Sequence, residues 1–194
     1  FFTYPLVLLA EYISNFGEDE ATVTREEVIA MAEMGEDEGV LEEQETDIIE
    51  NTLKLKDVKV KDIMTPRSVI FALKSDFTVG QVLEEHETLD FTRIPIFEGN
   101  LDVIKGMVNR YEIINRKAED QFSTRMHEIS QEVPFVNEND RIDKVLELFI
   151  KNRDHMALVK DDNDILTGLI TLEDAIETIL GQEIVDEHDS VVDM

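Results

Sequence analysis

Near residue 170, the sequence places a hydroxyl and a carboxylate where a predicted strand gives way to a predicted helix. Thr171 stands at the position of a helix N-cap, and Asp174 follows it at the spacing of a capping box. A hydroxyl beside free helix N–H groups can hold a phosphate or simply cap the helix. A carboxylate next to a phosphate site can also accept two hydrogen bonds from a ribose diol. Capping alone and nucleotide binding therefore both stay open here. Gly168, just before, permits a bend or a close backbone approach.

A second set of candidate residues lies in the run Phe91–Pro95. Arg93 offers a permanently charged fork that suits phosphate, Thr92 adds a hydroxyl, and Phe91 adds an aromatic face. The alternative is that Arg93 pairs with one of the many acids of the chain. Upstream, Thr65-Pro66 forces an extended backbone, which exposes polar groups to a neighbouring cleft.

These residues belong to a pattern of short strands and helices that we expect to position them. Strands are indicated by stretches rich in β-branched and aromatic residues, and helices by apolar residues on one face. The first half contains predicted strands at Ser68–Leu73, Arg93–Phe97 and Val103–Val108 and predicted helices at Thr78–His86 and Tyr111–Asn115.

The second half repeats the first. A shift of 62 residues places Arg93 on His155, and the next 22 positions align without a gap. The alignment pairs Gly106 with Gly168, and Asp102 and Asp164 are identical as well. Each copy reads β-α-β-β-α over about 60 residues, a length that buries too little surface alone. We therefore expect an α+β fold in which the two copies pack together.

The two copies do not carry the same polar residues. At the positions of Thr171 and Asp174 the first copy has Asn109 and Glu112. The two equivalent clefts therefore carry different polar residues, and we expect the one with Thr171 and Asp174 to bind the ligand.

The charge of the chain limits its partners. With 45 acids against 18 bases the formal net charge is −27, which disfavours nucleic acid as a partner. The absence of Cys excludes disulfides, Cys zinc sites and thiol catalysis. Residues 1–56 have 15 acids and 3 bases, residues 57–119 have 11 and 9, and residues 120–194 have 19 and 6. The nearly neutral middle is either part of an ordinary solvated surface or a region that keeps its bases to hold an anion.

The first 56 residues indicate acidic helices. Thr24 and Glu27 form a capping-box pattern, and the helical pattern breaks between Gly35 and Gly39. The apolar opening at Phe1–Ile13 is too short to span a membrane and lacks the basic start of a signal peptide. It is either a core helix or a juxtamembrane connector. A chain that starts at Phe looks like a piece of a longer protein.

Five motifs follow one another along the chain: VKDIMTPR (Val60–Arg67), FTRIP (Phe91–Pro95), HMALV (His155–Val159), GLITLEDAIE (Gly168–Glu177) and GQEIVDEHD (Gly181–Asp189). The two repeats resemble a pair of cystathionine-β-synthase (CBS) domains, or Bateman module, and Gly168-x-x-Thr171-x-x-Asp174 is similar to the nucleotide signature of such pairs. Together the five motifs resemble the CorB/CorC/CNNM group of magnesium-transport proteins, also called hemolysin-like. The resemblance covers about residues 20–190.

The resemblance implies a cytosolic regulatory module that follows a membrane domain, binds ATP (or AMP or ADP) with Mg²⁺, and forms a homodimer through its CBS pairs. Residues 1–56 would be the helical connector, 57–119 the first CBS domain, 120–183 the second, and 184–194 an acidic tail. No catalytic residue is implied, and the Mg²⁺ would be carried by the nucleotide phosphates rather than by protein ligands.

The resemblance also implies a set of nucleotide-binding residues. Thr171 and Asp174 would contact the ribose, and Thr92 and Arg93 the phosphates. The residues expected around the base are Thr65, Phe91, Ile94, Pro95 and Leu169.

Three other interpretations remain. An enzyme would have to use carboxylates and histidines, but no P-loop or nucleophile–base spacing is present. A direct divalent-cation sensor would use the acidic runs Asp161–Asp164 or Asp186–Asp189, of which the first lacks the length and Gly of an EF-hand. A nucleotide-free dimerisation module is the third. Among the histidines, His86 is expected at the edge of the core and His155 in the second cleft.

Overall fold

The computed structural model describes residues 23–182. The chain divides into two compact units, with the boundary between Glu50 and Asn51. Within residues 23–182, no helix combines the length and apolar character that crossing a lipid bilayer requires. The predicted apolar opening and the acidic tail lie outside the described residues.

The first unit contains helix α1 (Arg25–Asp37) and the beginning of helix α2 (Glu43–Lys54). The predicted capping box at the start of α1 is confirmed: Glu27 N–H donates to Thr24 Oγ1 at 3.2 Å, and Thr24 N–H donates to Glu27 Oε2 at 3.0 Å. The predicted break falls after Asp37, where Gly39 takes a left-handed conformation with φ of 72°.

The second unit consists of two small sheets with helices packed against them. Short 3₁₀ turns at Arg67–Val69 and Met126–Glu128 precede strands β2 and β5. In chain order the remaining elements are α3 (Val60–Ile63), β1 (Thr65–Pro66), β2 (Leu73–Lys74), α4 (Val79–Glu85), β3 (Arg93–Glu98), β4 (Asn100–Asn109), α5 (Arg110–Ala118), β5 (Phe135–Asn137), α6 (Ile142–Asn152), β6 (Met156–Lys160), β7 (Leu166–Thr171) and α7 (Leu172–Leu180).

The sheets confirm the repeat and the α+β fold class. One sheet has the order β2-β3-β4, and the other has the order β1-β7-β6-β5. In each, a short strand runs parallel to the first strand of an antiparallel hairpin: β2 with β3, and β5 with β6. A helix separates the two parallel strands, and another follows the hairpin.

The strand predicted at Ser68–Leu73 is wrong for most of its length. The chain forms a 3₁₀ turn at Arg67–Val69, and only Leu73 and Lys74 pair with β3. Ile70 and Phe71 instead line a cavity. Apolar β-formers mark half-buried positions rather than backbone pairing, which explains the error.

Segments are exchanged between the two repeats. Strand β1 lies before β2, where the first β-α-β-β-α unit begins, but pairs with β7 of the second unit, with Thr65 opposite Leu169. In the same way Gln131, which lies before β5, where the second unit begins, bridges to Met107 of the first. Fully buried Val60 packs in the core of the second repeat, and fully buried Met126 packs in the core of the first. Neither repeat therefore completes its core without the other.

The two aligned glycines explain how this exchange is possible. A Cβ at Gly168 would lie 2.6 Å from the Thr65 carbonyl oxygen, and one at Gly106 would lie 2.5 Å from the Gln131 carbonyl oxygen. Both distances are shorter than side chains tolerate. Glycine is thus required where each exchanged segment crosses the neighbouring hairpin.

Replacing Gly168 by Ala should destabilise the fold by about 3 kcal/mol. The methyl group would clash with the backbone carbonyl oxygen of Thr65 at 2.6 Å as well as with Met64 Sδ at 2.7 Å, and the backbone cannot move aside as a side chain can. Gly99→Ala is the control. With φ of 73°, Gly99 has a backbone conformation that other residues rarely adopt, but nothing lies within 4 Å of its Cβ position, so the substitution causes strain without a clash. That variant should lose only about 1 kcal/mol. Urea unfolding measures both, and equal losses would contradict the role given to the crossing.

Candidate functional site

A cavity of about 450 Å³ opens between residues of both repeats. Its lining comes from three stretches: the chain from β1 to Phe71, the approach to β3, and the β6–β7–α7 region. The lining residues are Thr65, Val69, Ile70, Phe71, Asp90, Phe91, Thr92, Arg93, Pro95, His155, Met156, Leu169, Thr171 and Glu173.

Seven of the nine predicted site residues line this cavity. The two that do not are Ile94 and Asp174. Ile94 is fully buried in the core of the first repeat. Side chains alternate along a strand, so Arg93 and Pro95 reach the cavity while Ile94 faces the opposite side. The side chain of Ile94 is therefore unavailable to a ligand there. The seven are Thr65, Phe91, Thr92, Arg93, Pro95, Leu169 and Thr171.

Thr171 and Asp174 form a capping box at the start of α7. Asp174 N–H donates to Thr171 Oγ1 at 3.2 Å, and Thr171 N–H donates to Asp174 Oδ2 at 2.8 Å. The capping interpretation is therefore correct as a description of the geometry. It does not remove Thr171 from the cavity, because the residue lines it as well. Both roles meet at one helix N-terminus, where backbone N–H groups favour an anion.

Asp174 is half-buried beside the cavity. Burial raises the pKa of its carboxyl above the ordinary value, the negative charge of Glu173 raises it further, and the hydrogen bonds with Thr171 oppose the shift. A carboxylate that has lost part of its hydration gains more from a new hydrogen-bond donor than an exposed one does. Asp174 thus suits a ligand that presents hydroxyl groups.

Arg93 is the cationic group of the cavity. Within residues 23–182, no hydrogen bond or ion pair engages its guanidinium group, so the predicted alternative of a pairing with an acid is not seen there. By contrast, the guanidinium of Arg67 forms a bidentate ion pair with Asp102. The lining also carries the acids Asp90 and Glu173, so its formal charge is −1 with His155 neutral.

Aromatic rings form one wall. The ring of Phe91, which is 54% exposed, stacks on Phe71 with centroids 5.6 Å apart and an angle of 27°. The rings of Phe71 and His86 are nearly perpendicular, with centroids 5.1 Å apart. His86 is half-buried at the end of α4, consistent with the expected core-edge position. An exposed aromatic face of this kind can stack with a planar heterocycle.

The sequence interpretation missed several lining residues. Ile70 and Phe71 were assigned to a strand, and their β-forming character concealed their place in the wall. Apart from their closeness to the motifs, nothing in the sequence marks Asp90 and Glu173 as residues that line the cavity. His155 was expected in a second cleft, but it lines the same cavity as Arg93 because the two hairpins face each other there.

The equivalent positions of the first repeat serve structure instead. The side chain of Asn109 accepts a hydrogen bond from Tyr111 N–H at 2.9 Å and so caps α5. Glu112 pairs with Arg116 at 3.6 Å. Neither residue lines the cavity.

The acidic run at Asp161–Asp164 forms a turn between β6 and β7. Asp161 Oδ1 accepts hydrogen bonds from the N–H groups of Asn163 and Ile165 at 2.9 and 2.8 Å. The hydrogen bond from Ile165 is the main reason why the pKa of Asp161 is lowered. Among the residues described, no three His, Cys, Asp or Glu side chains cluster as metal ligands would. The run at 186–189 lies outside the described residues.

Comparisons with known proteins identify the second repeat and the chain. The family model for the CBS domain matches residues 126–181. The magnesium and cobalt efflux protein CorC of Escherichia coli K12 is 30% identical over 170 residues, which are 88% of this chain and 58% of CorC. The chain thus spans a little over half the length of that relative.

Solved structures match both repeats. The CBS domain of a bacterial CNNM/CorC family Mg²⁺ transporter is 31% identical with a TM-score of 0.75, and the match covers 84% of this chain and 99% of that one. A structure of such a domain in complex with ATP is 30% identical with a TM-score of 0.67, covering 72% and 99%. Since that likeness extends over nearly the whole of the solved domain, the chain belongs to the CNNM/CorC family and contains its pair of CBS domains.

Proposed function

We propose that this chain is the regulatory nucleotide-binding module of a CorC/CNNM-type magnesium or cobalt transporter, and that its cavity binds ATP together with Mg²⁺. The observation that carries the proposal is the convergence of three features on one cavity: the N-terminus of α7, the exposed ring of Phe91, and Arg93, whose guanidinium has no partner within residues 23–182. AMP and ADP present the same base and ribose, so they are the competing ligands.

The polar end of the cavity suits the phosphates. Arg93 supplies a guanidinium fork, Thr92 an exposed hydroxyl, and Thr171 marks a helix start with backbone N–H groups. Asp174 lies three residues beyond Thr171, at the distance of one helical turn, where it can accept from ribose hydroxyls. These assignments agree with what the family resemblance implies.

The apolar end suits a base. Pro95 is buried and Leu169 half-buried, and both line the cavity next to Phe91. Thr65 belongs to the same wall through its pairing with Leu169. Stacking on an aromatic ring and burial against aliphatic groups add affinity for the base, but they do not distinguish ATP from ADP or AMP. That discrimination has to come from contacts of the polar end with the phosphates.

Regulation rather than turnover is the proposed role. The sequence contains no P-loop motif, so bound ATP is expected to stay intact. The homodimer, the upstream membrane domain and the cytosolic location that the resemblance implies are part of the same proposal. A nucleotide-free dimerisation module is the outcome to which the experiments below would point if no nucleotide bound.

Arg93→Gln should weaken the binding of Mg-ATP by about 10- to 100-fold, because it removes a charged hydrogen-bond donor to phosphate. The substitution should weaken the binding of adenosine far less.

Asp174→Asn keeps an acceptor for Thr171 N–H and so preserves the cap, but it should weaken the binding of ATP and of adenosine alike by about tenfold. Calorimetry measures both. Lys144→Gln is the control, since Lys144 is exposed on α6 and pairs with Glu147. Wild-type affinity in both site variants would disprove the assignment.

Mg²⁺ should strengthen ATP binding by at least about tenfold. A lining with formal charge −1 repels the four charges of free ATP, and the cation neutralises part of them. Titrations in Mg²⁺ and in EDTA compare the two conditions, with adenosine as a control that should show no cation effect. Equal affinity for ATP with and without Mg²⁺ would refute the electrostatic argument.

The contribution of Asp174 should decline as the pH is lowered, starting at a higher pH than for an ordinary Asp. Its pKa is raised, and a protonated carboxyl is a weaker acceptor for ribose. The affinity ratio of wild type to Asp174→Asn should therefore fall toward one as the carboxyl becomes protonated. Taking the ratio cancels titration of the phosphates. A ratio that stays constant down to a pH at which an ordinary Asp is protonated would count against a ribose contact.

A further inference from the structure

In both repeats the same number of residues separates the start of the first helix from the start of the hairpin, but the helix takes up more of them in the second repeat than in the first. The first hairpin strand starts fourteen residues after the helix start in both cases, at 79 and 93 and at 142 and 156. However, α4 ends at Glu85, whereas α6 continues to Asn152. Seven residues, 86–92, therefore precede β3, but only three precede β6. About one helical turn of the first repeat is replaced by an extended loop, here called the 86–92 loop.

The 86–92 loop supplies part of the cavity. Its last three residues, Asp90, Phe91 and Thr92, all line it. A helix would satisfy its own backbone groups, whereas a loop needs partners for its carbonyl oxygens from elsewhere. The shape of the loop therefore depends on what binds those carbonyls.

Arg110 binds three of them. Its Nη1 donates to the carbonyl oxygen of Leu89 at 2.8 Å and, at the longer distance of 3.4 Å, to that of Asp90. Its backbone N–H donates to the carbonyl oxygen of Thr92 at 2.9 Å. Arg110 is the half-buried first residue of α5 and does not line the cavity. Charged donors to carbonyl groups are stronger than neutral ones.

The second repeat has the backbone half of this arrangement only. Leu172 stands 62 residues after Arg110, and its N–H donates to the carbonyl oxygen of His155 at 3.0 Å. Its side chain has no donor. The guanidinium contact thus occurs in the repeat that has the long loop. The loop is also held at both ends through Phe71, which touches His86 and Phe91.

We propose that Arg110 is a positioning residue, which holds the 86–92 loop in the shape that presents Phe91 and Thr92 to a nucleotide. It acts through the loop and not on the ligand. Fixing a binding loop in advance removes an ordering cost that would otherwise be subtracted from the affinity. The effect on affinity rests on the proposed function, whereas the effect on the loop does not.

Three variants test this. Arg110→Met removes the guanidinium donors but keeps the backbone N–H, and should weaken Mg-ATP binding about tenfold, the effect of ordering one or two residues on binding. Arg110→Lys keeps the charge and one donor and should give an intermediate affinity. Lys117→Met is the matched control: it removes one exposed positive charge from the same helix, and its affinity should stay within about twofold of wild type.

Hydrogen exchange without nucleotide provides the second readout. Peptides that cover residues 86–92 should exchange faster in Arg110→Met than in wild type or Lys117→Met, while the core strands keep their protection. A double-mutant cycle with Phe91→Ala should be non-additive, because loosening the loop matters less once the ring is gone.

The outcomes are distinguishable. Mg-ATP affinity unchanged in Arg110→Met, or unchanged exchange of the 86–92 loop, overturns the inference. Should Arg110→Met fail to fold, Arg110→Lys decides: wild-type affinity with wild-type exchange in that variant would overturn it. If wild-type protein bound no nucleotide, the proposed function would fail, and faster exchange in Arg110→Met would still support the role of Arg110 in the loop.

Discussion

The pairing of Thr65 with Leu169 is the contact on which the rest of the structure depends. It joins the segment before the first repeat to the sheet of the second, and it is possible only because Gly168 leaves room for the Thr65 carbonyl. Both paired residues line the cavity, so the contact that interlocks the repeats also builds one wall of the site. The stability of the fold and the proposed binding therefore depend on the same few residues. A change that loosens this crossing would be expected to affect both.

The pseudosymmetry of the fold provides two equivalent helix N-termini, and only one of them lies at the cavity. Thr171 and Asn109 both cap the helix that follows them, but only Thr171 lines the cavity. Likewise, only the first repeat opens the 86–92 loop and carries Arg110 to hold it. Each repeat contributes what the other lacks, so one cavity is lined by residues of two copies of one motif.

The repeat, most element positions and seven cavity residues could be predicted because they depend on local periodicity, spacing and family resemblance. The capping box of Thr171 and Asp174 is a short-range pattern and was recognised as such. The segment around Phe71 was misassigned, since its apolar residues pack in a wall without pairing as a strand. The burial of Ile94 and the place of His155 depend on how two distant hairpins face each other, which no local pattern contains.

We propose that one cavity, lined by residues of both repeats, binds a single Mg-ATP per chain. The most direct measurement is a titration of ¹⁵N-labelled protein with Mg-ATP, followed by amide chemical shifts. The account predicts saturable shifts at Arg93, Leu169 and Thr171, with one molecule bound per chain. The amides of Met107 and Asn109, at the equivalent positions of the first repeat, should shift little. Shifts centred on Met107 and Asn109, or no saturable shift at all, would contradict it.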